Sequence, residues 1–158
     1  MTHTFLLEPG QWKLQGLWCE ANHDPISVQG TVSITWNQPN WFRWHKQLQF
    51  PEGTILSYLN PASTHPALVL TYRGYLGLDQ NQYTFVLNHN WLGNLEGNGW
   101  ITPTWIMQRY WVLNDHKRRQ GFESLYQEAA DTYRICTSLT QGHQIMTTFE
   151  ATLLRAST

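Results

Sequence analysis

An all-β chain, closed into a single antiparallel up-and-down barrel of about 8–10 strands, is what this sequence predicts. Three observations predict it. Strict alternation over Ile26 to Trp36 puts Ile26, Val28, Val32, Ile34 and Trp36 on one face. It puts Ser27, Gln29, Thr31, Ser33 and Thr35 on the other, the mark of a strand with one wet side. Turn-forming clusters recur at short, regular intervals along the whole chain. The third observation is the aromatic content: nine Trp, seven Tyr and six Phe in 158 residues. Such residues favour pleated, half-buried surfaces and line cavities and interfaces.

Taken in order, the first strand spans about Gln11 to Ala21 and ends at the turn Asn22-His23-Asp24-Pro25. The second is Ile26 to Trp36, where Gly30 suggests a bend or bulge. After Asn37-Gln38-Pro39-Asn40, a third runs from Trp41 to Phe50 and is broken by Pro51-Glu52-Gly53. A short strand is expected at Thr54 to Leu59, then a loop from Asn60 to Pro66. Ala67 to Tyr75 and Tyr83 to Trp91 are strands flanking the turn Asp79-Gln80-Asn81-Gln82. Asn94 to Gly99 reads as either a turn or a weak strand. Thr104 to Leu113, Gln120 to Gln127, Thr132 to Leu139 and Gln144 to Arg155 complete the set. Their turns centre on Asn114 to Lys117, Ala129 to Asp131 and Gln141 to His143. Glu123 to Tyr133 has good helix formers, but its flanking turns leave little room for a stable helix. No linker or repeat divides the chain, so residues 1–158 are expected to form one domain.

Bulk properties exclude several classes of function. Charged residues make up 13% and the formal net charge is −1, a poor basis for binding nucleic acid. No apolar run is long enough for a membrane span, and no secretory signal is read at the start. Cys19 and Cys136 do not make a disulfide framework; they are expected to be buried free thiols in a cytoplasmic protein. Some strands are apolar on both sides. Trp105, Met107, Trp111 and Leu113 share one face, with Ile106, Tyr110 and Val112 opposite. A covered outer wall, most simply in a homodimer, is the expectation.

The segment Phe5-Leu6-Leu7-Glu8-Pro9-Gly10-Gln11-Trp12-Lys13-Leu14-Gln15-Gly16 resembles the opening of lipocalin-like (calycin) domains. In that superfamily a short apolar lead-in precedes Gly-x-Trp, and the Trp closes one end of the barrel. The resemblance implies that a basic residue of the last strand packs over it. Here Arg155 would lie near Trp12, with Gly10, as a structural plug. The absence of a signal, of a C-terminal helix and of a disulfide pattern places the likeness nearer the intracellular and bacterial types. Those include fatty-acid-binding-type barrels, haem-binding nitrobindin-like barrels and bilin lyases.

The seven His form no tight ligand pair, so no metal site is expected. His89 shares a face with Phe85, Leu87 and Trp91, and His143 opens the last strand; these two are the haem-ligand candidates. Among charges, Arg109, Glu123, Arg134 and Glu150 sit within apolar strands and are expected to be buried. In fatty-acid-binding-type barrels interior Arg residues hold a carboxylate; Arg109 or Arg134 would do so here. The cavity wall is expected to comprise Trp36, Trp44, Phe85, Trp91, Trp105 and Tyr110. Lys117-Arg118-Arg119 reads as a solvated tip. No catalytic constellation appears. Binding of a small apolar or amphipathic molecule, fatty-acid-like or tetrapyrrole-like, is the function these residues suggest, with haem or bilin as possible cofactors. The alternatives are an assembly module that uses aromatic outer faces, and a bilin-lyase-like or haem-binding barrel.

Overall fold

Period-two burial runs through the strands and decides their geometry. In Gln82–His89, exposed and buried residues alternate at every position, as they must when one face of a pleated sheet meets the core and the other water. The computed structural model describes residues 2–54, 56 and 67–157. Among them are ten strands and no helix. The strands are β1 (Gly10–Glu20), β2 (Ile26–Gln38), β3 (Trp41–Gln49), β4 (Ala67–Leu76) and β5 (Gln82–His89). They continue as β6 (Gly93–Ile101), β7 (Trp105–Val112), β8 (Arg119–Ala129), β9 (Thr132–Gln141) and β10 (Gln144–Arg155). Each pairs antiparallel with its sequence neighbour, and β1 pairs with β10 to close the barrel. Closure leaves no unpaired edge.

One end is sealed by the chain's own start. Phe5 and Leu6 are fully buried, and the Phe5 ring meets Trp12 and Trp44 at 5.3 and 4.9 Å between centroids. His3 Nδ1 accepts from the Tyr133 hydroxyl at 2.8 Å while its Nε2–H donates to the Thr102 carbonyl at 2.7 Å. In the β1–β10 register Trp12 faces Arg155, whose guanidinium lies 5.6 Å from the indole centroid. That guanidinium also bonds Glu8 and the Pro9 carbonyl, each at 2.9 Å. A side chain at Gly10 would press on it, with a Cβ 3.1 Å from Arg155 Nη2.

Several expected details change. Asn94 to Gly99 is part of a full strand, β6. The strand from Tyr83 stops at His89, and Trp91 lies in the following turn. Gly30 marks no bulge: it pairs regularly with Leu14 and Leu48, and the added Cβ would fall 2.4 Å from the Gln47 carbonyl oxygen. Close strand approach is what requires it. The bulges lie at Trp36/Gln38, Gln127/Ala129 and Ile145/Thr147. The short strand expected at Thr54 to Leu59, and the loop from Asn60 to Pro66 with His65, lie outside the described residues, apart from Thr54 and Leu56, which are not in a strand. Both cysteines are free, but Cys19 is half-buried and Cys136 exposed, because alternation turns both away from the core. Among the described residues no helix is long and apolar enough to cross a membrane.

Candidate functional site in the barrel interior

The barrel centre is polar. Lys46 on β3 and Glu123 on β8 stand on opposite walls, five strand positions apart in either direction round the ring. Their side chains meet across the lumen at 3.2 Å, 4% and 0% exposed. Thr137 Oγ1, on the neighbouring β9, donates to Glu123 Oε2 at 3.1 Å. Gln108 is the β7 register partner of Glu123 and accepts from the Tyr83 hydroxyl at 2.8 Å. Three buried atoms of this layer have no partner: Glu123 Oε1, Gln108 Nε2 and the Tyr72 hydroxyl. Burial, and then the charge on Glu123, hold the Tyr72, Tyr83 and Tyr110 phenols well above their ordinary pKa, so all three stay neutral.

Glycines shape this wall. The Tyr110 ring lies flat on Gly121 and the Tyr83 ring on Gly99: a Cβ at either glycine would come within 2.2 Å and 2.0 Å of those rings. The rings therefore fill lumen that larger neighbours would otherwise take.

Above the polar layer is the open end. His89 Nδ1 accepts from the Trp91 and Leu92 amides, each at 3.1 Å. Burial, then the charges of Lys46 and Arg119, lower its pKa from 6.5 to about 3. The ring is neutral, with its proton on Nε2. Trp18, Phe50 and Trp91 crowd the mouth, with ring centroids 5.3 Å apart for Trp18–Phe50 and 5.8 Å for Phe50–Trp91. The Trp18 indole N–H donates to Glu20 Oε1 at 3.2 Å. Beneath them a cavity of about 40 Å³ is lined by Lys46, His89, Tyr110, Thr137 and Thr147 among apolar neighbours. That volume suits one water or a small polar group.

The predicted site residues are dispersed. Trp44, Phe85 and Tyr110 are buried in the lumen. Trp36 is half-buried at the sealed end, its indole N–H donating to the Leu6 carbonyl at 2.9 Å. Trp91 is at the mouth. Trp105, Arg109 and Arg134 are corrections: all three lie on the outer wall. Arg109 bonds Gln120 at 3.1 Å and approaches the Trp111 ring, while Arg134 pairs with Glu128 at 3.6 Å with both side chains solvated. Strand parity is the reason. Tyr110 faces inward, so Trp105 and Arg109, an odd number of residues away, face outward. Glu150 is exposed for the same reason, between inward Phe149 and Ala151. Of the four expected buried charges only Glu123 is inside. Lys46, its partner, was missed, although it alternates with Phe42, Trp44 and Leu48. Arg119 is not a free tip either; Asp115 binds its guanidinium at 2.9 Å.

Haem does not fit this interior. Iron on His89 Nε2 would need the imidazole proton on Nδ1, at the cost of both amide bonds, and the cavity is far smaller than a macrocycle. His143 is exposed in the β9–β10 turn.

The outer wall carries exposed aromatics. Trp41, Tyr75, Trp100, Trp105, Phe122 and Tyr126 are 38–50% accessible. Tyr75, Trp100 and Phe122 border a groove of about 1050 Å³.

No family model matches the chain, and no curated protein does. Two solved structures share its architecture. Rv2717c from M. tuberculosis superposes with a TM-score of 0.68 at 14% identity, over 94% of this chain and 92% of that one. The S-type phycobiliprotein lyase CPES from Guillardia theta gives 0.57 at 12% identity, over 94% and 88%. At such identities the likeness is one of fold alone, that of a closed antiparallel barrel.

Proposed function

We propose that the chain, residues 1–158 acting as one domain, binds a small amphipathic molecule end-on through the open mouth. Its apolar part would lie among Trp18, Phe50 and Trp91, and its polar end at the Lys46–Glu123 layer. One observation carries this reading: the barrel holds three buried, unpartnered polar atoms in the layer of a charged pair, at the end where, among the described residues, Trp18, Phe50 and Trp91 crowd together. Buried polar groups normally have partners, and their absence in the native lumen points to a ligand or water that supplies them. The cavity of about 40 Å³ accepts the polar end alone, so entry of the remainder displaces the mouth aromatics. The fold likeness to a phycobiliprotein lyase supports small-molecule binding as the class of function. The free cysteines Cys19 and Cys136 support a cytoplasmic setting.

The test is a fluorescence titration with the uncharged probe N-phenyl-1-naphthylamine. Saturable one-to-one binding is expected, and its loss when Thr147→Trp fills the cavity. An unsaturable response, or equal binding by that variant, contradicts the proposal.

A second reading, docking of a partner or a second copy on the outer wall, is favoured by the six exposed aromatics. It predicts a dimer by light scattering that Phe122→Asp disrupts.

A further inference from the structure

We infer that the molecule's buried end is an uncharged group that both donates and accepts a hydrogen bond, an alcohol or primary amide rather than a carboxylate; this rests on the binding reading above. The charge balance of the lumen is the first ground. Lys46 is already matched by Glu123 at 3.2 Å. Arg119 is tied to Asp115 at 2.9 Å, and Arg109 and Arg134 are outside. His89 is kept neutral by the two amides that donate to it. Among the described residues, therefore, no unmatched cation faces the interior. At the rim Glu20 is buried, with Oε1 bonded to Trp18 and Oε2 unpartnered. A carboxylate entering here would shed its water, pass Glu20, and meet Glu123 with no positive charge to spare. An ammonium would pass the Glu20 carboxylate but end in a cavity lined by the like-charged Lys46, where it would have to share that lysine's one counter-ion.

The hydrogen-bonding groups of the cavity, which adjoin a layer with unpartnered polar atoms through Lys46 and Thr137, are the second ground. Gln108 Nε2 is a donor without an acceptor, and Glu123 Oε1 an acceptor without a donor. The Tyr72 hydroxyl can serve as either. The cavity itself is lined by Lys46, His89, Tyr110, Thr137 and Thr147, side chains that present both donors and acceptors; a hydroxyl or carboxamide can donate and accept among them, whereas a carboxylate only accepts. The cavity of about 40 Å³ matches a group of that size.

Displacement of bound N-phenyl-1-naphthylamine by four molecules of one chain length, dodecanol, dodecanamide, dodecanoate and dodecylamine, tests this. The alcohol and the amide should compete about tenfold or more better than either charged analogue. A carboxylate or amine that matches them overturns the inference while leaving the binding reading intact. Failure of all four to displace the probe overturns both. Glu123→Gln removes the counter-charge of Lys46, so the dodecanoate-to-dodecanol affinity ratio should rise about tenfold; an unchanged ratio in the folded variant also overturns it. The wild-type ranking decides alone if that variant does not fold.

Discussion

Lys46 and Glu123 set the character of the lumen. Both are shielded from bulk solvent, and each makes the other tolerable. Taking away one partner leaves a lone buried charge. Lys46→Met or Glu123→Leu should each cost about 3–5 kcal/mol by urea denaturation, and the double substitution less than either single one. Losses that add in the double substitution would show that the two side chains are not coupled. His89 gives a pH signature. Its folded pKa is about 3 against 6.5 when free, so the unfolded chain binds more protons between those values. Stability should therefore be complete above that window and fall as pH drops through it, by up to ~1.4 kcal/mol per unit. His89→Asn should flatten that slope; an unaltered slope would place the proton uptake elsewhere.

Strands and turns explain what could be read in advance. Alternation and turn dipeptides were legible because they are local, and they yield the up-and-down order with β1 beside β10. β6 was ambiguous for a physical reason: two of its inward positions are Gly97 and Gly99, which carry no apolar signal. The rings of Phe85 and Tyr83 on β5 occupy the space those side chains would take. The same device on β8 makes Gly121→Ala a sharp test. The new methyl group must move Tyr110, and a loss of about 1–3 kcal/mol is expected in thermal or urea unfolding. A neutral result would mean that the Tyr110 ring is free to leave the wall. Site residues were less legible. Glu123 could be read as inward from its own strand, but its partner is five strand positions away round the ring, a relation no local pattern encodes. Arg109 and Arg134 looked inward only by their apolar neighbours, which here belong to an aromatic outer wall.

At the scale of the whole molecule, the two ends of the barrel differ among the described residues. The N-terminal segment and the Trp12–Arg155 contact seal one end. The other is stopped by Trp18, Phe50 and Trp91 over a cavity of about 40 Å³. Fold likeness without close sequence likeness leaves the ligand to be argued from these residues. Outer aromatics compete for any apolar probe, so position must be resolved as well as affinity. Indole N–H signals of the ¹⁵N-labelled protein resolve it, since Trp18 and Trp91 line the mouth while Trp41, Trp100 and Trp105 are outside. On titration with dodecanol the Trp18 and Trp91 signals should shift and saturate together, with the outer three unmoved. Shifts confined to the outer tryptophans, with Trp18 and Trp91 silent, would contradict binding through the mouth.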